Sequence, residues 1–224
     1  MFVKVCGITT EEDALLAVAM GADAVGFVFA PSRRQLQPAR ARDIVRRLPP
    51  EILTVGVFRD DLPQRVVETV NTVGLRAAQL HGRERPEDGQ YVAQRVSVLI
   101  KAFSSGDRML DMASEYGAAA ILVDSPVPGS GELFDWSALD GTSRHERLIL
   151  AGGLTPENVA DAIRVVRPWG VDVSTGVESK PGHKDPIRVR DFVKAAKAAA
   201  EELAAHAAPA AESSVAPYDW RGEV

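Results

Sequence analysis

A single cysteine, Cys6, ends the short apolar run that starts at Met1, and Gly7-Ile8-Thr9 follows it at once. A thiol held where a first strand gives way to a helix faces a cleft, and a helix N-terminus nearby favours its thiolate. That makes Cys6 a candidate base or nucleophile. Strand side chains alternate between faces, so if Val3 and Val5 look toward covering helices, Lys4 and Cys6 look the other way. A buried lysine beside a thiol needs a partner. The same parity turns Gln79 and His81 inward in Ala77–His81, Asp124 inward at the end of Ala120–Asp124, and Asp172 and Ser174 inward in Val171–Ser174. Asp172 is the counter-ion that this parity offers to Lys4.

Two glycine-bearing segments add a different chemistry. Ala151-Gly152-Gly153-Leu154 and Ser174-Thr175-Gly176-Val177 each follow a predicted strand. Glycines let backbone N–H groups approach an anion closely, and a helix start at Thr155-Pro156, with a short turn after Thr175, would aim positive dipole ends at it. Gly152, Gly153, Ser174, Thr175 and Gly176 are therefore candidates for a phosphate cradle, with a tight turn as the plainer reading of the glycine pair.

These side chains need a scaffold, and the chain supplies one by alternation. Short β-branched runs begin near Phe2, Ala24, Leu53, Arg76, Ser97, Ala119, Arg147 and Gly170, and amphipathic or alanine-rich stretches follow most of them. Thr9-Thr10-Glu11-Glu12 reads as a helix start in which a threonine and a glutamate three residues later cap each other, with Ala14, Leu15 and Val18 as the buried stripe. Pro38, Pro63, Pro86, Pro156 and Pro186 each sit where a first helical turn tolerates a missing N–H. The stripes behind them are Ala41, Ile44, Val45 and Leu48; Val66, Val67 and Val70; Val159, Ala162, Ile163 and Val166; and Val189, Phe192, Val193 and Ala196.

Such units of roughly 25 residues fit an α/β fold, a single-domain (β/α)₈ TIM barrel over residues 1–204. An open doubly wound sheet is the alternative, but its G-x-G-x-x-G fingerprint is missing from Cys6-Gly7-Ile8-Thr9. In the barrel register the polar residues gather at the carboxyl ends of the strands, and the glycine segments follow strands seven and eight, where barrel phosphate sites are built. The helix after strand six is expected to shrink to a turn near Trp136, and Pro128–Gly131 reads as a mobile cover. Residues 205–224, rich in Ala, Pro and Ser without a stripe, are expected to be a disordered tail.

Composition narrows the partners. With 46% hydrophobic and 25% charged residues in 224, a net charge of −5 and no long Lys/Arg block, the chain reads as a globular protein without a nucleic-acid surface. No apolar run approaches the ~20 residues of a membrane span, and one cysteine allows no internal disulfide. The N-terminus lacks a signal-peptide pattern, which points to the cytoplasm. Histidines 81, 145, 183 and 206 show no metal-ligand spacing. Monomer and homodimer stay equally open.

Taken in order, Lys4–Thr9, Gly21–Phe29, Val55–Phe58, Gln79–Gly82, Leu122–Asp124, Ala151–Leu154 and Gly170–Glu178 resemble the phosphoribosylanthranilate isomerases of tryptophan biosynthesis, over residues 1 to about 200. The resemblance implies an Amadori rearrangement of an aminoaldose phosphate to an aminoketose phosphate. Its pattern makes Cys6 the general base and Asp124 the general acid, with Arg34 as ligand of the anthranilate carboxylate, although Arg33 is adjacent and the loop differs in length from the common form. Lys4, His81 and Asp172 join the substrate side of the site, His81 mainly bracing it. No metal or cofactor is implied, because the substrate's own imine serves as electron sink. For this chemistry Cys6 should be activated by Lys4 or a helix end, and Asp124 should be withdrawn from water. The related isomerase of histidine biosynthesis, a bifunctional enzyme of both pathways, and a non-catalytic phosphosugar-binding barrel are the competing readings. The first relies on two aspartates, and Cys6 stands where one of them would be.

Overall fold

In a computed structural model, which describes residues 1–125 and 147–206, eight parallel strands close into a barrel. They are β1 (Phe2–Val5), β2 (Ala24–Val28), β3 (Leu53–Phe58), β4 (Ala77–Leu80), β5 (Val98–Ser104), β6 (Ala120–Asp124), β7 (Leu148–Leu150) and β8 (Gly170–Val173). Each pairs with the next and β8 returns to β1, Lys4 opposite Asp172, so no edge is left and the open-sheet alternative is excluded. Every strand starts within one residue of the position that the apolar runs indicate.

The twofold alternation of the strands sorts their side chains into two cores. Val3, Val5, Val25, Phe27, Leu80, Val123 and Val171 face outward and pack under the helices. Phe2, Leu53, Val55, Ile100, Leu122 and Ile149 point inward and fill the barrel toward the strands' N-terminal ends, where Trp169 stacks on Phe2 with ring centroids 4.7 Å apart. The inward positions are thus apolar low in the barrel and polar near its upper rim. The packing that stabilises the fold is separated from the groups available for chemistry.

Helices α1 (Glu11–Ala19), α2 (Pro38–Val45), α3 (Pro63–Val73) and α4 (Pro86–Ala93) cover the first half, a 3₁₀ helix spans Arg108–Tyr116, and α5 (Val159–Val166) and α6 (Pro186–His206) cover the second. Three expectations need correction. The cap of α1 is Thr10, whose hydroxyl accepts from the N–H of Asp13, and the buried face is Asp13, Ala14 and Ala17 while Leu15 is 40% exposed. Helix α5 begins at Val159, three residues after Pro156, because Asn158 closes the intervening turn with its side chain on the Thr155 N–H. Helix α6 continues to His206, past the expected boundary at 204. The remaining residues of the expected tail, 207–224, and the expected turn near Trp136 and cover at Pro128–Gly131 lie outside the described residues.

One element escapes sequence patterning altogether. Between β8 and α6 the chain makes a hairpin of β9 (Glu178–Lys180) and β10 (His183–Lys184). It is pinned by Lys184 N–H to the Asp13 carboxylate at 3.2 Å and by the Thr9 hydroxyl donating to the Gly182 carbonyl.

Candidate active site

The carboxyl ends of the strands surround a cleft of about 910 Å³, ample for a small phosphorylated metabolite. Cys6, Arg34, His81, Asp124, Gly152, Gly153, Asp172, Ser174, Thr175 and Gly176 all line it. Arg33 does not, and is exposed. Lys4, expected on the substrate side, is fully buried beneath the cleft instead of lining it.

Cys6 is placed by the end of β1, its N–H bonded to the Val173 carbonyl at 2.8 Å, and turns into Gly7, whose φ of 76° is open to glycine. Room for the thiol comes from β2. A Cβ on Gly26 would stand 2.8 Å from Cys6 Sγ and 3.2 Å from Lys4 Nζ. Below the thiol, Lys4 Nζ donates to Asp172 Oδ1 at 2.9 Å, the pairing that strand parity indicates. Burial pulls the Lys4 ammonium down, but the negative charge of Asp172 and the neighbouring thiolate form of Cys6 outweigh it and hold Lys4 above its ordinary value. For Cys6 the balance runs against expectation. Burial pushes the thiol up, Lys4 pulls it down, Asp172 opposes Lys4, and the net direction is upward. In the open cleft the activating lysine does not overcome the loss of water.

A second cation that sequence reasoning overlooked stands near the thiol. Lys184 on β10 is buried, and its Nζ donates to the Ser174 carbonyl at 3.1 Å and to Glu178 Oε1 at 3.2 Å. Burial lowers its pKa more than Glu178 restores it. Glu178 in turn grips Arg34 with both oxygens, at 2.6 Å from Nε and 2.7 Å from Nη2. Burial alone would raise the Glu178 carboxyl, but the hydrogen bond from Arg34 and the charge of Lys184 hold it below the usual carboxylate range. Arg34 is therefore a positioned guanidinium with its Nη1 end uncommitted among the described residues. Glu178 closes the segment Gly170–Glu178 and could be seen in the sequence. Lys184 could not, because it reaches the site through a hairpin without a periodic signal.

On the far side, Asp124 ends β6 with Oδ1 accepting from the Ser125 N–H at 2.7 Å, while Oδ2 lies 3.4 Å from His81 Nε2. His81 Nδ1 meets Gln79 Nε2 at 3.2 Å. The loop that carries His81 is anchored by buried Lys101, which donates to the carbonyls of Leu80 and Gly82 and to Glu84 Oε2 at 2.9 Å. Thiol and carboxyl thus enter one cleft from strands on separate sides of the barrel.

The glycine loops occupy the adjoining rim. Gly152 and Gly153 have φ of 87° and 63°, and a Cβ on Gly152 would stand 2.4 Å from Ser125 N and 2.8 Å from Asp124 Oδ1. After β8 the expected short turn is a 3₁₀ helix over Thr175–Val177. Asn158 Nδ2 donates to the Gly153 carbonyl and Arg188 Nε to the Gly176 carbonyl, fixing both loops from the elements that follow. A carboxyl, a thiol, an arginine fork and amide-rich loops around one cavity suit proton transfer on a phosphorylated substrate bearing a carboxylate. Among the described residues no group of three or more His, Cys, Asp or Glu is placed to hold a metal ion.

The chain is similar to known proteins over most of its length. The profile of the family described as N-(5'phosphoribosyl)anthranilate (PRA) isomerase matches residues 3–195. An N-(5'-phosphoribosyl)anthranilate isomerase from Desulforudis audaxviator is 50% identical over 204 residues, covering 88% of this chain and 98% of that one. The crystal structure of phosphoribosyl anthranilate isomerase from Thermotoga maritima superposes with a TM-score of 0.83 at 46% identity, covering 88% of this chain and 99% of its own. Another phosphoribosyl anthranilate isomerase structure, in complex with reduced 1-(o-carboxyphenylamino)-1-deoxyribulose 5-phosphate, gives 0.80 at 45% identity over the same shares.

Proposed function

The chain belongs to the N-(5'-phosphoribosyl)anthranilate isomerase family, and we propose that Cys6 is the general base and Asp124 the general acid of its reaction. The enzyme converts N-(5-phosphoribosyl)anthranilate into 1-(2-carboxyphenylamino)-1-deoxyribulose 5-phosphate, an aldose–ketose isomerisation in tryptophan biosynthesis. The observation that carries the assignment is the entry of Cys6 and Asp124 into one cleft whose rim also holds Gly152, Gly153, Thr175 and Gly176.

Each step asks for one of these groups. Asp124 gives its proton to the ring oxygen as the C1–O bond breaks, and the anthranilate nitrogen lone pair forms the C1=N bond of a Schiff base. Cys6 thiolate then removes the proton from C2, and the C2–H electron pair moves toward the iminium to give the enolamine. Return of a proton to C1 and loss of the enol proton leave the ketone, with no net gain or loss of electrons.

Lys4 and Asp172 act beneath the thiol as an orienting pair, with Lys4 favouring its ionised form. With Glu178 on one edge of Arg34, the terminal Nη1/Nη2 edge can take the substrate carboxylate by two parallel hydrogen bonds. The amides of the two glycine loops take the phosphate, and His81 braces its loop beside Asp124. We assign the reaction to the cytoplasm, with a small-molecule substrate, no nucleic-acid or membrane partner, no cofactor, and a monomer or homodimer as the working form. The net charge of −5 supports this, and no helix among the described residues is long and apolar enough to cross a membrane.

Turnover is read from the loss of anthranilate fluorescence when protein meets freshly prepared substrate. Cys6→Ala and Asp124→Asn are each expected to lower kcat at least ~10²-fold with little change in KM. Near wild-type turnover in both variants would remove the acid–base assignment.

A further inference from the structure

Gln79 and His81 stand two residues apart at the end of β4, and each has a buried atom without a hydrogen-bond partner among the described residues, Oε1 of Gln79 and Nε2 of His81. Gln79 is only 1% exposed. A buried amide with one end unpaired weakens a fold, and an apolar side chain of the same length would not. Stability therefore gives no reason for a glutamine here.

Its other end gives one. Gln79 Nε2 lies 3.2 Å from His81 Nδ1, and an amide N–H donating there leaves the lone pair on Nδ1 and puts the proton of the neutral ring on Nε2. Turning the amide over would bury both of its N–H groups without acceptors in place of one carbonyl oxygen. Nε2 sits 3.4 Å from Asp124 Oδ2, close but without the direction of a hydrogen bond. The other oxygen, Oδ1, already accepts the Ser125 N–H at 2.7 Å, so an acidic proton on Asp124 resides on Oδ2. A ring nitrogen that carries its own hydrogen cannot take that proton. The proton is left for the sugar's ring oxygen, and the same N–H steadies the carboxylate once it has gone. The opposite tautomer would set a lone pair 3.4 Å from Oδ2 and draw that proton toward the ring, away from the substrate.

We propose that Gln79 is a positioning residue for the reaction, which fixes the Nε2–H tautomer of His81 and thereby keeps the proton of Asp124 available to the substrate. This rests on Asp124 being the acid.

Gln79→Met in the full chain keeps the length and removes both polar ends. Its melting temperature should equal or exceed that of the wild type, kcat should fall about tenfold or more, and KM should stay within about threefold. The ring ¹⁵N signals of His81, assigned with His81→Asn, should leave the Nε2–H pattern for a mixture. A merely structural glutamine would give the reverse, a lower melting temperature with kcat retained. Gln79→Glu carries the test if the methionine variant does not fold, because a carboxylate oxygen accepts from Nδ1–H and forces the opposite tautomer with at least as large a loss of kcat. A kcat within about twofold of wild type, or an unchanged ring pattern, overturns the proposal. The ¹⁵N signals need no turnover, so the two readings fail separately: an active Asp124→Asn variant removes the acid, and an unmoved ring removes the role of Gln79.

Discussion

At the residue scale, the thiol of Cys6 shows how competing terms set a group's readiness to react. Burial raises it, while Lys4 and Lys184 lower it without prevailing. The thiolate should accordingly form above the ordinary thiol range of about 8.5. Because Cys6 is the only cysteine in the chain, the pH dependence of alkylation by a small electrophile reads this group alone. We expect a midpoint above the ordinary thiol value in the wild type. In Lys4→Met it should be higher still, since removing a cation that favours the thiolate, and leaving Asp172 uncompensated, both act in the same direction. A midpoint that stays in place or moves down in that variant would contradict the role given to Lys4. Much of this cluster was legible from alternation alone, because Lys4, Cys6 and Asp172 sit at positions of equal parity on paired strands. The direction of the Cys6 shift was not. Parity tells which groups meet but carries no measure of how much water they lose.

At the element scale, the loop after β7 is packed against the end of β6. Gly152 packs its bare Cα against Ser125 N and Asp124 Oδ1, and its φ of 87° strains any other residue. Gly152→Ala should therefore displace the β6 terminus that carries Asp124, lowering kcat as well as raising KM, with a loss of stability of about 1–3 kcal/mol. Steady-state kinetics and thermal melting of that variant check it, and a change confined to KM would restrict the loop to substrate binding. Proline at first-turn positions and short β-branched runs made β1–β8 and the starts of α2, α3, α4 and α6 readable. The β9–β10 hairpin was not readable, since strands of three and two residues carry neither a twofold nor a 3.6-residue pattern, and its hold on Thr9 and Asp13 is made by tertiary contacts. With it went the role of Lys184.

At the scale of the whole molecule, barrel closure converts eight local periodicities into one site. Apolar inward residues fill the lower barrel and polar ones crown it, so that groups from β1, β4, β6 and β8, distant in sequence, share a cleft of about 910 Å³. The order of strands around the barrel sets which of them oppose each other, and that is why Cys6 and Asp124 come from different sides. The most direct measurement is a crystal structure of this chain with reduced 1-(o-carboxyphenylamino)-1-deoxyribulose 5-phosphate bound. Cys6 Sγ and Asp124 Oδ2 are expected on opposite sides of the sugar carbons nearest the amine, each within about 3.5 Å, with the phosphate on the amides of the loops after β7 and β8 and the carboxylate on Arg34. A ligand whose phosphate lies elsewhere, or whose reacting carbons are out of reach of either group, would contradict this arrangement.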